Sequence, residues 1–220
     1  MTIEPSSNLA VSRATRGPYH QAMSEATPSY DTASRLLHWS VALLVVLQIP
    51  AGIAMTSEPL SAWADPLYIY HKGAGSVLLL LVFARLAWRL THPTPPFPSF
   101  MPLREQRIAH ATHGAIYVLL VAMVVSGYVR TVGDGFPIEL LDALGIPPLL
   151  PEMPRLARGM LVVHQFAVVA LVALVAVHVS AVLRHRLIEQ TPVLGRMWPP
   201  VRPQGDDTGV PRGGRPRASG

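Results

Sequence analysis

Long apolar runs, separated by charged and proline-rich segments, dominate the pattern of this 220-residue chain. Three of the runs contain 20 or more consecutive residues without a charge, and a fourth is bounded by Lys72 at one end and by Arg85 and Arg89 at the other. A 20-residue helix is about 30 Å long, the thickness of the hydrocarbon layer of a membrane, and basic side chains near helix ends can reach the interface. The pattern therefore predicts an all-α membrane protein with a four-transmembrane-helix bundle. Its spans are predicted at about residues 36–56, 67–90, 108–130 and 159–184.

The distribution of basic residues predicts the orientation of these spans. If both tails share one side with the connection at 91–107, that side carries fourteen arginines, against three arginines and one lysine on the other. Cytoplasmic loops are enriched in Lys and Arg, so we expect both termini in the cytoplasm. The polar segment 1–34 is predicted to be a disordered cytoplasmic tail, 35–198 the helical domain, and 199–220 a disordered basic tail that can rest on the lipid bilayer.

Composition then narrows the chemistry. The chain has no cysteine, which excludes disulfides, Cys-ligated zinc, Cys-ligated iron–sulfur clusters and the thioether attachment of c-type haem. The net charge of +5 comes from arginines spread between the apolar runs, so we expect no nucleic-acid partner. We find no Gly-rich nucleotide loop, acid pair or Ser–His–Asp set, and we assign no catalytic residue.

Histidines supply the candidate chemistry, because four of them lie within or at the ends of the spans: His38, His71, His164 and His178. His164 and His178 are 14 residues apart in the fourth span, which places them about 21 Å apart and on nearly the same helix face. One helix that presents two imidazoles at two depths suits two stacked cofactors better than one metal ion. By the predicted topology, His71 matches the depth of His164 near the outer surface, and His38 matches that of His178 near the inner surface.

Such pairs fit bis-histidine ligation of haem iron, which leaves no open coordination site and favours electron transfer over oxygen binding. Three other interpretations remain open. A lone histidine at a helix end is most often an interfacial residue, the histidines could hold zinc or another metal, and they could form a proton relay. A histidine-lined metal or proton transporter is therefore one functional alternative.

Short motifs surround these histidines in the four spans. They are Arg35-Leu-Leu-His38-Trp39, His71-Lys72-Gly-Ala-Gly75, Ala109-His110-x-x-His113-Gly114 with Ser126-Gly127, His164-Gln165, and His178-x5-Arg184-His185. With these motifs, the sequence resembles the bacterial four-helix, di-haem cytochrome b561 family over about residues 30–198. The connector Arg89-Leu-Thr-His-Pro93-x-Pro-Pro is also typical of that family.

The resemblance implies two haem b groups in the bundle, with His38 and His178 as ligands of the inner haem iron and His71 and His164 as ligands of the outer one. It also implies a multi-pass protein of the bacterial inner membrane that exchanges electrons with ubiquinone or its quinol. The family commonly has Glu after the first histidine of the fourth span. Gln165 stands there in this chain, so an acid or proton role at that position is not expected.

Other residues are predicted to support the cofactors. Arg35 can pair with a haem propionate at the inner end, and Lys72 can do so at the outer end. His113 can bond a propionate or a quinone, or compete with His38 as a ligand. For the arginine, snorkelling to the interface is an equally good explanation. The same choice applies to Arg85 and Arg89. His110 can also bond a propionate or a quinone, interfacial packing is the alternative for His110 and His113, and His185 is expected to be interfacial.

Four functions follow as hypotheses. The favoured one is a di-haem b-type cytochrome that carries electrons across the membrane between quinone and an unidentified soluble donor or acceptor. The second is an enzyme on the same scaffold, a superoxide oxidase that reduces ubiquinone, in which Lys72 attracts the anion. The third is the cytochrome b subunit of a hydrogenase or dehydrogenase. The fourth is the histidine-lined transporter.

Overall fold

The computed structural model describes residues 28–99, 101–189 and 193–198, and in this part of the chain it contains helices and no strand. The prediction of an all-α protein with four membrane-spanning helices is confirmed, because four helices are long and apolar enough to cross a membrane. Most of the predicted N-terminal tail and all of the predicted C-terminal tail lie outside the described residues. The helices are α1 (Thr32–Ala54), α2 (Ala64–Thr91), α3 (Leu103–Gly133), the short α4 (Glu139–Ala143) and α5 (Pro154–Leu187), with 3-10 turns at Glu58–Trp63 and Leu194–Arg196.

Helix α1 begins at Thr32, inside the segment that was predicted to be a tail. Asp31 is the reason, because its carboxylate accepts hydrogen bonds from the backbone N–H of Ser34 at 2.8 Å and from the Ser34 hydroxyl at 2.7 Å. An Asp at this position satisfies donors that the first helical turn leaves unpaired. The polar residues before the apolar run therefore belong to the helix.

The four long helices pack as a bundle in which α1 lies along α2, α3 lies along α5, and α2 contacts α3. Side chains from all four helices meet in one apolar core at mid-height. The core consists of Val41, Val45, Leu78, Val82, Leu120, Met123, Val124, Ala167 and Leu171.

The outer faces of the same helices are also apolar. Leu43, Leu80, Val118 and Phe166 come from four different helices, and each is largely exposed in the isolated chain. Helices that are apolar all round belong in lipid, where such side chains contact acyl chains. The bundle is thus built for the bilayer.

The bundle has two ends, which we distinguish by the residues that they carry. We call the end that bears Lys72 and the α3–α5 connection the outer end, and the opposite end the inner end, after the predicted topology. At the inner end, residues 193–198 fold back and form what we call the clasp. Arg196, only 6% exposed, donates hydrogen bonds from Nε to the Pro28 carbonyl at 3.0 Å and from Nη2 to the Pro95 and Pro96 carbonyls at 3.1 and 2.7 Å.

Candidate cofactor-binding site

At the outer end, His71 of α2 and His164 of α5 face each other with ring centres 6.3 Å apart and ring planes at 83°. Two imidazoles on opposite sides of one metal ion, at a metal–nitrogen distance of about 2.0 Å, have their ring centres roughly 6 Å apart. The separation of this pair in the bundle is therefore close to that of two axial ligands.

Hydrogen bonding fixes which nitrogen of His164 is available. Its Nδ1 lies 2.9 Å from the carbonyl oxygen of Met123 and 3.4 Å from the hydroxyl of Ser126. A carbonyl oxygen only accepts, so Nδ1 carries the proton and Nε2 keeps its lone pair. A ligating histidine typically has this arrangement, with the other ring nitrogen donating to a backbone carbonyl.

Two glycines make room for the outer rings. A methyl group added at Gly127 would lie 3.1 Å from Cε1 of His164, and one added at Gly52 would lie 3.1 Å from Cε1 of His71. Both separations are shorter than ordinary van der Waals contact. An alanine at either position would therefore push an imidazole out of place.

Gln48 is a component of the outer site that sequence reasoning missed. It is 5% exposed in the middle of α1, and its Nε2 donates to the carbonyl oxygen of His71 at 2.8 Å. The signal was a single amide in an otherwise apolar run, since a buried polar group in a membrane span usually has a structural or functional partner. In this chain that partner is the backbone of a predicted ligand.

At the inner end, three histidines gather instead of two. His113 of α3 and His178 of α5 have ring centres 5.3 Å apart, with planes at 67°. His38 of α1 is close enough to both rings for a charge on either of them to interact with it. Its own ring packs edge-on against Trp39, with ring centres 5.5 Å apart. The predicted partner His38 is therefore in the cluster, but the direct ring contact of His178 is with His113.

Trp39 ties this cluster to the clasp. Its indole N–H donates to the carbonyl oxygen of Met197 at 2.6 Å, and its ring packs edge-on against Trp198 at 5.6 Å. Sequence reasoning included Trp39 in a motif of the first span and assigned no role to Trp198. The pairing between them depends on the chain's return at 193–198, which no local pattern in the sequence predicted.

The inner arginines differ in their partners. Arg85 donates to the Ser34 carbonyl at 3.0 Å and lies 5.7 Å from the ring centre of Tyr117. Arg35 is 8% exposed, and its Nε has no hydrogen-bond partner in the described part of the chain. A buried guanidinium without a counter-ion is costly, so Arg35 is suited to an anionic ligand such as a carboxylate.

The outer cation Lys72 already has protein partners. Its Nζ lies 2.7 Å from Oε1 of Glu139 and donates to the Pro137 carbonyl at 2.7 Å. Burial alone would raise the pKa of the Glu139 carboxyl, but the hydrogen bond from Lys72 is among the interactions that hold this pKa below its ordinary value. Glu139 is therefore ionised at neutral pH. Sequence reasoning missed it, because Lys72 and Glu139 are 67 positions apart.

The remaining histidines of the described region have other neighbours. His92 stacks on Trp88 with ring centres 3.7 Å apart, and His110 packs edge-on against Phe97. His185 contacts Glu189 at the inner end of α5. With Glu105, these two side chains form a group whose ligand atoms lie within 4.8 Å of one another. Arg184 contacts both glutamates and offsets part of their negative charge.

The donor set fits haem b. Neutral imidazoles are haem-iron ligands, the outer pair has a ring spacing close to that of two such ligands, and the proton on Nδ1 of His164 leaves its Nε2 available. The unpartnered guanidinium of Arg35 can pair with a propionate at the inner end. The chain contains no thiol for a thioether bond, so any haem is held non-covalently.

The fold and these histidines define a class of protein: a helical membrane protein with imidazoles gathered at two depths of one bundle. The family model for prokaryotic cytochrome b561 matches residues 29–200, and the chain belongs to that family. It is therefore a multi-pass bacterial membrane protein of electron transport, and its family implies haem b.

Two curated relatives are similar to it. Cytochrome b561 homolog 2 of Escherichia coli (strain K12) is 30% identical over 170 residues, which cover 76% of this chain and 90% of the relative. The probable superoxide oxidase CybB of Yersinia pestis is 33% identical over 97 residues, which cover 41% of this chain and 51% of that relative.

Proposed function

We propose that this chain is a di-haem b-type cytochrome of the inner membrane, with both termini in the cytoplasm, that carries single electrons across the bilayer and exchanges them with ubiquinone or its quinol. The observation that carries the proposal is the placement of His164 and His178 on α5. These residues are about 21 Å apart along one helix, and each has a second imidazole beside it.

In this proposal, His71 and His164 are the ligands of the outer haem, and His38 and His178 are those of the inner haem. Haem b supplies a one-electron Fe(III)/Fe(II) couple when it is bound. Two histidines holding each haem iron would leave no open position for oxygen, so these residues favour electron transfer over oxygen chemistry. The surrounding apolar side chains exclude water and lower the local dielectric, which helps to set the potentials.

The charged neighbours have separate roles. Arg35 is the proposed propionate partner at the inner end, and its unpartnered Nε supports that assignment. His113 contacts His178 and is proposed to bond a propionate or a quinone oxygen beside the inner haem. Lys72 remains a candidate propionate partner, provided that it leaves Glu139.

The oxidation of one quinol requires two single-electron transfers through the protein. One quinol gives up two electrons and two protons and becomes a quinone, so two electrons pass through the protein and two protons go to solvent. The soluble partner at the other end accepts or donates these electrons one at a time. The proposal allows electron transfer in either direction, because the described residues block electron exchange at neither end of the bundle.

A second function, superoxide oxidation, is suggested by the partial match to the probable superoxide oxidase of Yersinia pestis. Lys72 is the cation that would attract superoxide in that hypothesis. It is paired with Glu139, so the electrostatic motive is weaker in this chain than the sequence alone suggested. We therefore place electron exchange with quinone first.

The test is a haem count and a spectrum of the purified protein. We expect two haem b per chain, with the low-spin, six-coordinate spectrum of bis-imidazole iron, and two one-electron waves in a redox titration. Reduction by a water-insoluble quinol in liposomes then tests the exchange. One haem per chain, a high-spin spectrum or no reduction by quinol would contradict the proposal.

A further inference from the structure

Lys72 occupies a special position in the chain because it directly follows His71, a proposed ligand of the outer haem. Its side chain is only 14% exposed, and its Nζ is held by Oε1 of Glu139 and by the Pro137 carbonyl, each at 2.7 Å. We call Lys72, Pro137 and Glu139 the outer latch. The latch joins the start of α2 to the outer connection between α3 and α5.

The connection is packed against α2 at the latch. Glu139 begins α4, and Ile138 before it is buried. A methyl group added at Gly73 would lie 3.4 Å from Cβ of Leu140, so the small residue after Lys72 lets α4 approach α2 closely. The latch therefore lies where the connection covers the helix turn that carries His71.

The charges around the latch do not favour an anion. Between α1 and α2, at the start of α2, and between the end of α3 and the start of α5, the outer end has six carboxylates and four cations. Two of these cations are paired, Lys72 with Glu139 and Arg130 with Asp134. The second oxygen of Glu139 is buried and has no hydrogen-bond partner in the part of the chain that the structure describes. The ten charged residues are Glu58, Asp65, Lys72, Arg130, Asp134, Glu139, Asp142, Glu152, Arg155 and Arg158.

We propose that Glu139 is a specificity-determining residue of the outer site: by pairing with Lys72 it cancels the cation beside His71 and holds back small anions, superoxide included, while neutral quinol is unaffected by the pair. The inference rests on the proposed function, because it concerns access to the outer haem. Charge lining an entrance changes the local concentration of a charged substrate, and a neutral substrate does not experience this effect. Oxidation of superoxide would release O2 and one electron, and a haem b held by His71 and His164 would supply the acceptor for that electron.

The first experiment measures the latch without using activity. Lys72 is the only lysine in the chain, so acylation by a membrane-impermeant amine reagent, followed by peptide mass spectrometry, reports on this one side chain separately from the N-terminal amine. We expect slow labelling of the unsubstituted protein and labelling at least about threefold faster in Glu139→Gln, because the amine loses its ionic partner.

Glu58→Gln is the matched control for this experiment. It removes one negative charge from the same end, and Glu58 is exposed in a 3-10 turn outside the latch. We expect its labelling rate to equal that of the unsubstituted protein. If Glu139→Gln does not fold, raising the salt concentration replaces it, since screening weakens the pair in the native protein and should speed labelling. Fast labelling of the native protein at low salt, or equal rates in both variants, would overturn the latch.

The second experiment measures specificity in the haem-loaded protein. Haem reduction by superoxide and by a neutral quinol is followed by stopped flow, and the ratio of the two rates is compared. Glu139→Gln should raise this ratio several-fold at low salt, with the gain lost at high salt, and Lys72→Gln in the same chain should abolish it. Glu58→Gln should change the ratio much less.

The failures are distinguishable. A chain without two low-spin haems fails the proposed function, whereas the labelling of Lys72 can be measured whatever the haem content. A chain with two haems whose rate ratio is the same in Glu139→Gln and Glu58→Gln refutes the role of Glu139 and leaves the proposed function intact.

Discussion

The inner and outer ends of the bundle treat charge in opposite ways. The described inner end has eight arginines and three carboxylates, whereas the outer end has four cations and six carboxylates. At the inner end, Nε of the buried Arg35 has no hydrogen-bond partner among the described residues, and at the outer end the cation next to a proposed ligand is paired with Glu139. The inner end therefore has a guanidinium that suits an anionic ligand. At the outer end, the carboxylate of Glu139 already pairs with the cation.

The ends also differ in how their histidines are arranged. The outer site is a pair with one assigned tautomer, and two glycines leave the space that its rings occupy. The inner site is a group of three in which His113 stands closest to His178. The comparison shows two imidazoles at the outer end for the two proposed ligand positions, and three imidazoles at the inner end for the same number of positions.

Replacing His164 by alanine tests the outer site and should have the largest effect. We expect the haem content to fall from two per chain to one, because the iron loses an axial ligand held by Met123. A pyridine haemochrome assay against protein concentration measures the content. The control is His92→Ala, a histidine that stacks on Trp88 outside both groups, and it should retain two haems. Full haem content in His164→Ala would remove the outer site.

Replacing His38 and His113 in turn sharpens the comparison at the inner end. If His38 is the ligand, His38→Ala loses the inner haem and His113→Ala keeps it with an altered potential. The haem count and the low-spin signals in electron paramagnetic resonance measure the outcome. The reverse result would assign the inner iron to His113, which is the direct neighbour of His178 in the bundle.

Sequence reasoning could go far with the fold because the signals were local. Twenty-residue apolar runs specify membrane helices whatever their neighbours, and the 14-residue spacing on α5 follows from helix geometry alone. The gathering of His71 with His164 needed only the order of the spans. The start of α1 was missed because capping by Asp31 moves the helix beyond the apolar run.

What could not be predicted depends on contacts between distant segments. The Lys72–Glu139 pair joins residues 67 positions apart, and Arg196 joins two other segments through carbonyl groups that any residue has. A backbone acceptor leaves no trace in the sequence, so the role of Arg196 was not visible there. The sequence identified Lys72 as a candidate functional cation, but its charge is neutralised by Glu139, which the sequence did not reveal as its partner.

The clasp gives a test of what holds the inner end together. Arg196→Ala removes a buried side chain and its three charge-assisted hydrogen bonds to carbonyls, which should cost about 3 kcal/mol of stability. Thermal unfolding of the purified protein in detergent measures the loss. Arg186→Ala, an exposed arginine at the same end, is the control and should change stability little. Equal midpoints for the two variants would show that the clasp is dispensable.

Arg35 tests the charge contrast directly. In the haem-loaded protein, Arg35→Gln should lower the potential of the inner haem by a few tens of millivolts, because a nearby cation favours the reduced iron. Arg104→Gln, an exposed arginine at the same end, should leave it unchanged. Spectroelectrochemical titration resolves the two haems. A shift of the outer haem instead, or equal shifts in both variants, would contradict the pairing of Arg35 with an inner propionate.

Asp31 gives the smallest predicted effect, a pH dependence at the inner end of α1. Burial alone would raise its pKa, but hydrogen bonds from Ser34 and Trp88 hold the pKa below the ordinary value of 3.8. A carboxyl whose pKa is lowered by folding stabilises the native state above its unfolded pKa, and that contribution is lost as the pH falls through the folded pKa.

Asp31→Asn keeps a capping side chain but cannot ionise, so its unfolding midpoint should fall less than that of the native protein between pH 5 and about pH 3. Asp31→Ala, which removes the cap, should cost about 1 kcal/mol at neutral pH. Parallel pH profiles for the native protein and Asp31→Asn would mean that this carboxylate contributes nothing through its charge.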